Sequence, residues 1–461
     1  MTERRGGEAR APVMGAEGPS VQDLLNDERG PVPAVLRDHS SVALGTEPLP
    51  SARYTDAEFA RREFDRMWSK TWQMACREED IPDIGDFEVY EIGQRSLLVV
   101  RAARDEIRAY HNVCLHRGRI LKTESGRAQF FRCPFHGFSW NLDGTSRSIT
   151  NAWDFEHIDP KQFCLPQVRV ARWGGFVFVN FDVESESLDS YLDDLPEIFT
   201  TRGWDLAERV KAVHVRKLNR CNWKVALEAF IESFHVVATH PGAMTYLGDA
   251  YTQYDVWPER RHFTRMISPR GLASPHLGRD ISEEEVYRAG AGRMVGGDAK
   301  LPEGLTARQA MGDAKRAFLR EQFGVEVADM TDCEALDTIQ YHIFPNLVVW
   351  AGWGSFLVYR FRPNGDDPGS SIMEVFFLLP KGAGRQKVET VRHPTLLGFD
   401  DSHTLAPELG PFADVFDEDL SNIPEVQRGL AAMQAPGVML GNYQEARIRH
   451  FHQTLDRYLQ S

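Results

Sequence analysis

Apolar positions along this chain keep a helical period first, then a strand period, and then a mixture of the two. Phe59, Phe64, Met67, Trp68 and Trp72 recur at helical spacing, and Thr55 with Glu58 forms a capping-box pattern, so a helix is predicted over about 55–70. From about residue 85 the period becomes two. Residues 87–92 alternate, 97–100 form a short buried run, and 109–113 and 176–181 read as further strands. With a turn at Asn141-Leu142-Asp143-Gly144, these strands predict a small all-β domain over roughly 80–182. Beyond 183 helices and strands mix. A long helical segment is predicted from Asn222, another helix over 306–323, strands within 338–361 and 371–380, and a last helix over 443–459. Residues 250–300, rich in Gly, Pro and Arg, read as loops. The fold class expected is α+β, with an antiparallel sheet in the second domain, 183–461. Residues 1–50 lack periodicity and read as a flexible arm, with 51–79 as an N-terminal helix packing on the second domain.

Charge and cysteine content narrow the chemistry. Sixty-seven acids against fifty-three bases give a net charge of -14, which argues against a general nucleic-acid binder. Six cysteines in 461 residues exclude a disulfide scaffold, so clustered thiols point to metal. Arg4 and Arg5 precede no apolar stretch, and no apolar run is long enough to span a bilayer, so a cytoplasmic chain without membrane contact is expected.

Two constellations carry chemistry. Cys114-Leu115-His116 and Cys133-Pro134-Phe135-His136 supply two thiolates and two imidazoles, a set that suits zinc or an iron–sulfur cluster. Zinc modules usually pair like with like, whereas each arm here offers one cysteine and one histidine. That symmetry suits a two-iron cluster with both thiolates on one iron and both imidazoles on the other. The second constellation follows Asn222-Trp223-Lys224. Glu228, Glu232 and His235 are spaced to share one helix face, and His240 lies five residues beyond His235. Five residues rotate a regular helix by about 140°, too far for one ligand face, so a distorted or ending turn is needed. Pro241 supplies a reason for the helix to stop.

Cys114-x-His116-Arg117-Gly118 with Cys133-Pro134-Phe135-His136-Gly137 resembles the Rieske [2Fe–2S] motif. The stretch from Asn222 to His240 resembles the mononuclear iron motif of Rieske non-haem iron oxygenases, the ring-hydroxylating α-subunit type. The resemblance covers about 50–461. It implies a Rieske domain joined to a helix-grip (START-like) catalytic domain. It implies a [2Fe–2S] cluster on Cys114, His116, Cys133 and His136, and Fe(II) on His235, His240 and a carboxylate. Asp419 is the expected carboxylate, because it stands eight residues before Gln427-Arg428-Gly429, as in the family's spacing; Asp417 and Glu418 read as an acidic helix start. Glu232 stands where the family usually has Asp. Its implied role is to bridge a cluster histidine of a neighbouring subunit to an iron-ligating histidine. Ala229 replaces a frequent Asn, Phe234 a frequent Tyr, and Phe138 a frequent Trp.

The implied activity is that of a terminal oxygenase. It uses O2 and electrons from a separate NAD(P)H-dependent flavin reductase or ferredoxin to hydroxylate a hydrophobic, aromatic substrate, as in aromatic hydrocarbon catabolism. Monooxygenation or oxidative demethylation of a non-aromatic or quaternary-amine substrate is the alternative. An electron carrier or hydrophobic-ligand-binding protein with an inactive second site is the alternative from another class. A homotrimer is implied, with or without a β subunit. Ala229, Phe230, Val236, Met244, Ile343, Phe344 and Asn346 are candidate pocket residues. Gly290-Ala291-Gly292-x3-Gly296 follows no apolar strand and reads as a loop, not a nucleotide site. Arg117, Arg119, Lys122, Arg127 and Arg132, against the single acid Glu124, form either a solvated loop or a docking patch for an acidic redox partner.

Overall fold

The computed structural model describes residues 15–295, 300–382 and 384–460. A seven-stranded antiparallel sheet runs in the order Gln73–Arg77, Phe176–Asn180, Gln167–Trp173, Glu106–His111, Arg95–Ala103, Asp86–Ile92 and Gly126–Arg127. A three-stranded sheet of Phe131–Arg132, Ser139–Trp140 and Ser146–Ser148 lies beside it in sequence. The β-rich part thus begins before residue 80. Gln73–Arg77 pairs with Phe176–Asn180, Gln73 opposite Val179, and is buried on both faces. A strand buried on both faces has no polar alternation for a period-two reading to detect.

The second sheet has eight strands, ordered Gln253–Asp255, Phe263–Ser268, Thr338–Ile343, Leu347–Ala351, Leu357–Pro363, Ser371–Pro380, Arg209–Asn219 and Thr395–Leu397. All pairings are antiparallel except the last, where Thr395–Leu397 runs parallel to Arg209–Asn219. One face packs against Trp223–Ala229, Phe412–Ala432 and Ala446–Gln460 through Trp223, Phe230, Phe416, Phe451 and Leu455. The other meets Val21, Leu25, Leu36 and the segment from Leu188 to Trp204. Strand alternation sorts the side chains. Ile339, Tyr341 and Ile343 enter the second core, while Gln340 and His342 turn toward the helices.

Several expectations change. The flexible arm is packed over its described part. Ser20 caps Val21–Asn26 in a capping box with Asp23, Val21, Leu25 and Leu36 are buried, and Leu49 bridges to Val438. Those apolar residues are too few for a local period, and their complement lies hundreds of residues away. The arm's residues 1–14 lie outside the described residues. The helix predicted over 55–70 is divided into Ala52–Thr55, Ala57–Arg62 and a wide π-helical turn Glu63–Trp68. Asp56, not Thr55, caps the second piece by accepting from the Glu58 N–H at 2.9 Å. Residues 250–300 are not only loops, since they hold two strands and the helix Glu283–Val295. Gly290 and Gly292 lie in that helix and Gly296 lies outside the described residues. The helices predicted over 306–323 and 443–459 correspond to Ala307–Phe323 and Ala446–Gln460. Among the described residues no helix is long and apolar enough to cross a membrane.

Candidate metal centres

Two loops of one design carry the first constellation. The Cys114 N–H donates to the Arg119 carbonyl at 2.8 Å and the Gly118 N–H to the Cys114 carbonyl at 2.9 Å. The Cys133 N–H donates to Phe138 at 2.8 Å and the Gly137 N–H to Cys133 at 3.0 Å. Gly118 and Gly137 close these turns at φ of 73° and 84°, where a side chain is strained. A Cβ on Gly137 would meet Thr150 Oγ1 at 2.9 Å. The loops bring His116 and His136 to 4.7 Å between ring centroids, above two buried thiols. Backbone N–H groups of His116 and Arg117 point to the Cys114 sulfur, and those of Phe135 and His136 to Cys133. Burial opposes ionisation of Cys133, yet these donors and the Cys114 thiol hold it below the ordinary thiol value. His116 Nδ1 is buried without a partner. Paired thiols cradled by backbone donors, beside an orphaned imidazole nitrogen, fit a [2Fe–2S] group. Phe138 stacks on the His116 ring at 4.7 Å.

The second constellation forms where a helix breaks. Asn222 caps Trp223–Ala229 through its side-chain oxygen, and Phe230 ends it. His235 and His240 then flank the one-turn helix Val236–Thr239. Thus Glu228 does not share a face with Glu232 and His235, contrary to expectation. The helix stops between them, and Glu228 turns to His452 Nε2 at 2.8 Å and Tyr54 Oη at 3.1 Å. Asp419, 5% exposed and eight residues into Phe412–Ala432, presents Oδ1 to His240 Nε2 at 3.0 Å and to His235 Nε2 at 3.4 Å. One ligand atom from each of the three lies within 4.8 Å of the others, a donor set that could hold one metal ion.

Each imidazole is fixed from behind by a carboxylate. Glu232 Oε1 holds His235 Nδ1 and Glu418 Oε2 holds His240 Nδ1, both at 2.6 Å. Burial disfavours protonation of both histidines, but these carboxylates and Asp419 raise their pKa above the ordinary value. A carboxylate on Nδ1 leaves Nε2 free to face a metal, the arrangement that orients metal-ligating histidines. Glu232 also accepts from the backbone of Phe234 and His235, so its hydrogen bonds among the described residues are all local. Glu418 is not part of a helix start. It lies in the second turn, and its partner sits 178 residues away, a pairing no local spacing reveals. Asp417 is likewise engaged, by the His403 ring and backbone at 2.9 Å.

The surrounding motif residues set the geometry. Gln427 Oε1 accepts from the Asn222 backbone at 2.9 Å and its amide donates to Tyr54, tying the Asp419 helix to the histidine segment. Lys224 makes a buried ion pair with Glu63 at 2.8 Å, and Trp223 packs on Trp68 with centroids 4.9 Å apart. Arg447 donates to the Ile231 carbonyl and Gln340 to Phe230, clamping the turn before His235.

The pocket expectation is partly corrected. Phe230 packs on Tyr359, Phe361 and Phe416 beside the Asp419 helix, and Ala229 joins this core. Val236 and Met244 are buried close in sequence to the two histidines. Ile343 faces the opposite core, because strand alternation turns it away. Phe344 is committed to packing on Phe451 and Tyr458, and the Asn346 amide to the Phe361 carbonyl. Sequence reasoning missed Trp350, Tyr359 and Phe416. Tyr359 lies 4.9 Å from Trp350 and 5.9 Å from Phe416 by centroids, and burial with the Asp419 charge raises its phenol pKa. Each reads locally as ordinary core.

Cysteine–histidine loops on a β domain, joined to a two-histidine, one-carboxylate site on an α+β domain, define a metalloprotein with two unlike centres. Residues 204–461 match the family model described as the ring hydroxylating alpha subunit catalytic domain, and residues 71–157 match the Rieske [2Fe-2S] domain. The chain belongs to the ring-hydroxylating α-subunit family, whose two domains imply a [2Fe–2S] cluster and a mononuclear iron. It is 32% identical over 198 residues to a chloroplastic choline monooxygenase of Beta vulgaris, covering 41% of this chain and 44% of that protein. It is 29% identical over 202 residues to the carnitine monooxygenase oxygenase subunit of Escherichia coli K12, covering 42% and 52%. The matched stretch spans about half the length of these curated relatives. Among solved structures it resembles the quaternary ammonium Rieske monooxygenase CntA with L-carnitine (TM-score 0.61, 17% identity, 89% and 95% of the two chains). It also resembles a naphthalene 1,2-dioxygenase mutant bound to phenanthrene (TM-score 0.63, 18% identity, 91% and 93%). At these identities the likeness concerns the fold.

Proposed function

We propose that this chain is the terminal oxygenase component of a multi-protein system that hydroxylates a small substrate. The observation that carries the reading is the convergence of His235, His240 and Asp419, each imidazole backed by its own carboxylate, in a chain that also bears the Cys114/His116 and Cys133/His136 loops. When bound, the cluster supplies single electrons and the iron supplies O2 activation. The chain's own residues do the rest. Cys114, His116, Cys133 and His136 hold the cluster, and His235, His240 and Asp419 hold the iron. Glu232 and Glu418 set the histidine tautomers, and Glu232 links toward a cluster histidine of a neighbouring copy. Exposed Phe135 (57%), beside His136, and exposed Phe234 (46%), beside His235, are apolar faces that suit such a head-to-tail ring, a homotrimer in this reading. Electrons come from a separate NAD(P)H-dependent reductase or ferredoxin.

For the substrate, the named relatives favour the quaternary-amine reading. Phe230, Trp350, Tyr359 and Phe416 are buried and packed on one another near Asp419, and aromatic faces of this kind attract a quaternary ammonium group that reaches them. Aromatic side chains also pack on a neutral aromatic ring, which keeps aromatic hydroxylation as the second reading. The test is O2 uptake and product mass with a surrogate reductase, comparing choline, carnitine and glycine betaine with naphthalene. Substrate-dependent uptake and a product from at least one amine, but not naphthalene, are expected. Turnover of naphthalene alone would reverse the substrate reading. The oxygenase reading fails if His235→Ala protein with an intact cluster spectrum still hydroxylates.

A further inference from the structure

A polar cavity lies between the seven-stranded and eight-stranded sheets and does not include the candidate metal ligands. Behind its lining residues His214, Arg216, Arg360 and Arg362, Glu374 is fully buried on Ser371–Pro380. Its Oε1 accepts from His214 Nε2 and from Arg216 Nε and Nη2, each at 3.2 Å. Its Oε2 accepts from Arg360 Nε at 2.6 Å and Arg362 Nε at 3.2 Å. One carboxylate therefore faces three guanidiniums. Burial pushes His214 down to about 4, so near neutrality it adds no charge. Among the described residues no other carboxylate lies within ion-pair distance of these arginines, so three guanidiniums share one carboxylate.

The rest of the cluster joins the two sheets. Arg360 Nη1 donates to Met74 and Ala75, and Arg362 Nη1 to Glu91, all carbonyls of the seven-stranded sheet. Both guanidiniums lie over the Tyr90 ring. The cavity they border has a volume of about 430 Å³, ample for a small organic anion. Arg216, its side chain 37% exposed, reaches the opening, and exposed Arg392 lines the other side without an ion pair among the described residues. Of the inner acids, Asp80 pairs with Lys211, and Glu88 accepts from the neutral Ser125 hydroxyl at 2.6 Å and keeps its charge. Glu91 and Glu124 lie on the exposed rim and pair with none of the three arginines.

Three guanidiniums on one carboxylate, with Arg392 unpaired among the described residues across a cavity of this size, suit oxyanion recognition. We propose that this cavity is a separate anion-binding site that takes a small carboxylate or phosphate on Arg216, Arg362 and Arg392. Arg216 and Arg362 stand on the eight-stranded sheet and Arg392 just before its last strand, so a bound anion would stabilise the folded chain by tying these segments together. The site is independent of the oxygenase reading.

The test uses the metal-loaded protein. Titration calorimetry and thermal unfolding are measured with inorganic phosphate and with citrate, against chloride at equal ionic strength. Saturable binding of at least one, with a raised unfolding midpoint, is expected, and the two arms tell phosphate from carboxylate. Arg216→Gln combined with Arg392→Gln should weaken binding at least tenfold while the anion-free cluster spectrum stays unchanged. If that double variant is itself less stable, Arg392→Gln alone decides, with a loss of about threefold or more expected. The proposal is overturned by no saturable binding, by equal shifts in chloride, or by unaltered affinity in Arg392→Gln.

Discussion

At the residue scale, each candidate ligand histidine is defined by what stands behind it. Glu418 and Glu232 do the same work on opposite imidazoles, each at 2.6 Å from Nδ1. Glu418→Gln keeps an acceptor there but removes the charge that strengthens the imidazole as a ligand. Iron affinity, measured by competition with a chelator, should fall about 10- to 100-fold while the cluster absorbance is unchanged. His235→Ala should lower the iron content from three per chain to two and abolish hydroxylation. An unchanged iron count would remove His235 from the ligand set.

At the element scale, the site depends on a helix that stops. Trp223–Ala229 ends so that His235 and His240, unable to share a regular helix face, can converge on Asp419. Two tethers hold its first turns. Asn222 caps the helix and donates to the Tyr54 and Pro368 carbonyls, and Lys224 is buried against Glu63. Lys224→Met leaves a carboxylate buried without its cation and should cost about 3–5 kcal/mol in denaturant unfolding. Lys224→Met with Glu63→Leu removes both charges and should recover most of that loss. If the double variant is no more stable than the single, the pair is not what the tether rests on.

At the scale of the whole molecule, a chain of net charge -14 carries a basic segment around the cluster loops. That segment is partly spent. Arg127 pairs with Asp83 and Asp86, whereas Arg117 and Lys122 lie over the Phe135 and Phe87 rings and keep their charge. Arg117, Arg119, Lys122 and Arg132 are in no ion pair among the described residues, and Arg119 and Lys122 are the pair tested as cations for an acidic redox protein. Arg119→Glu with Lys122→Glu should slow reduction by the partner at least tenfold at low salt, less at high salt, while dithionite reduces the cluster as before. Equal partner rates in both proteins would make the segment a solvated loop.

The sequence alone determined the chemistry. Cysteine–histidine pairs at short spacing, and two histidines before a proline, restrict which atoms can meet because loops that short leave the chain little freedom. Strand and helix periods likewise disclosed the α+β division and the terminal helices. Tertiary structure alone decided the rest, because these contacts join residues without a shared local pattern. Glu418 behind His240, Gln427 against Asn222, Trp350 and Tyr359 near Asp419, and the docked segment 15–50 are instances. In each, local sequence shows only an ordinary acid, amide, aromatic or stray apolar residue, and its role is set by a partner that packing brings from far along the chain.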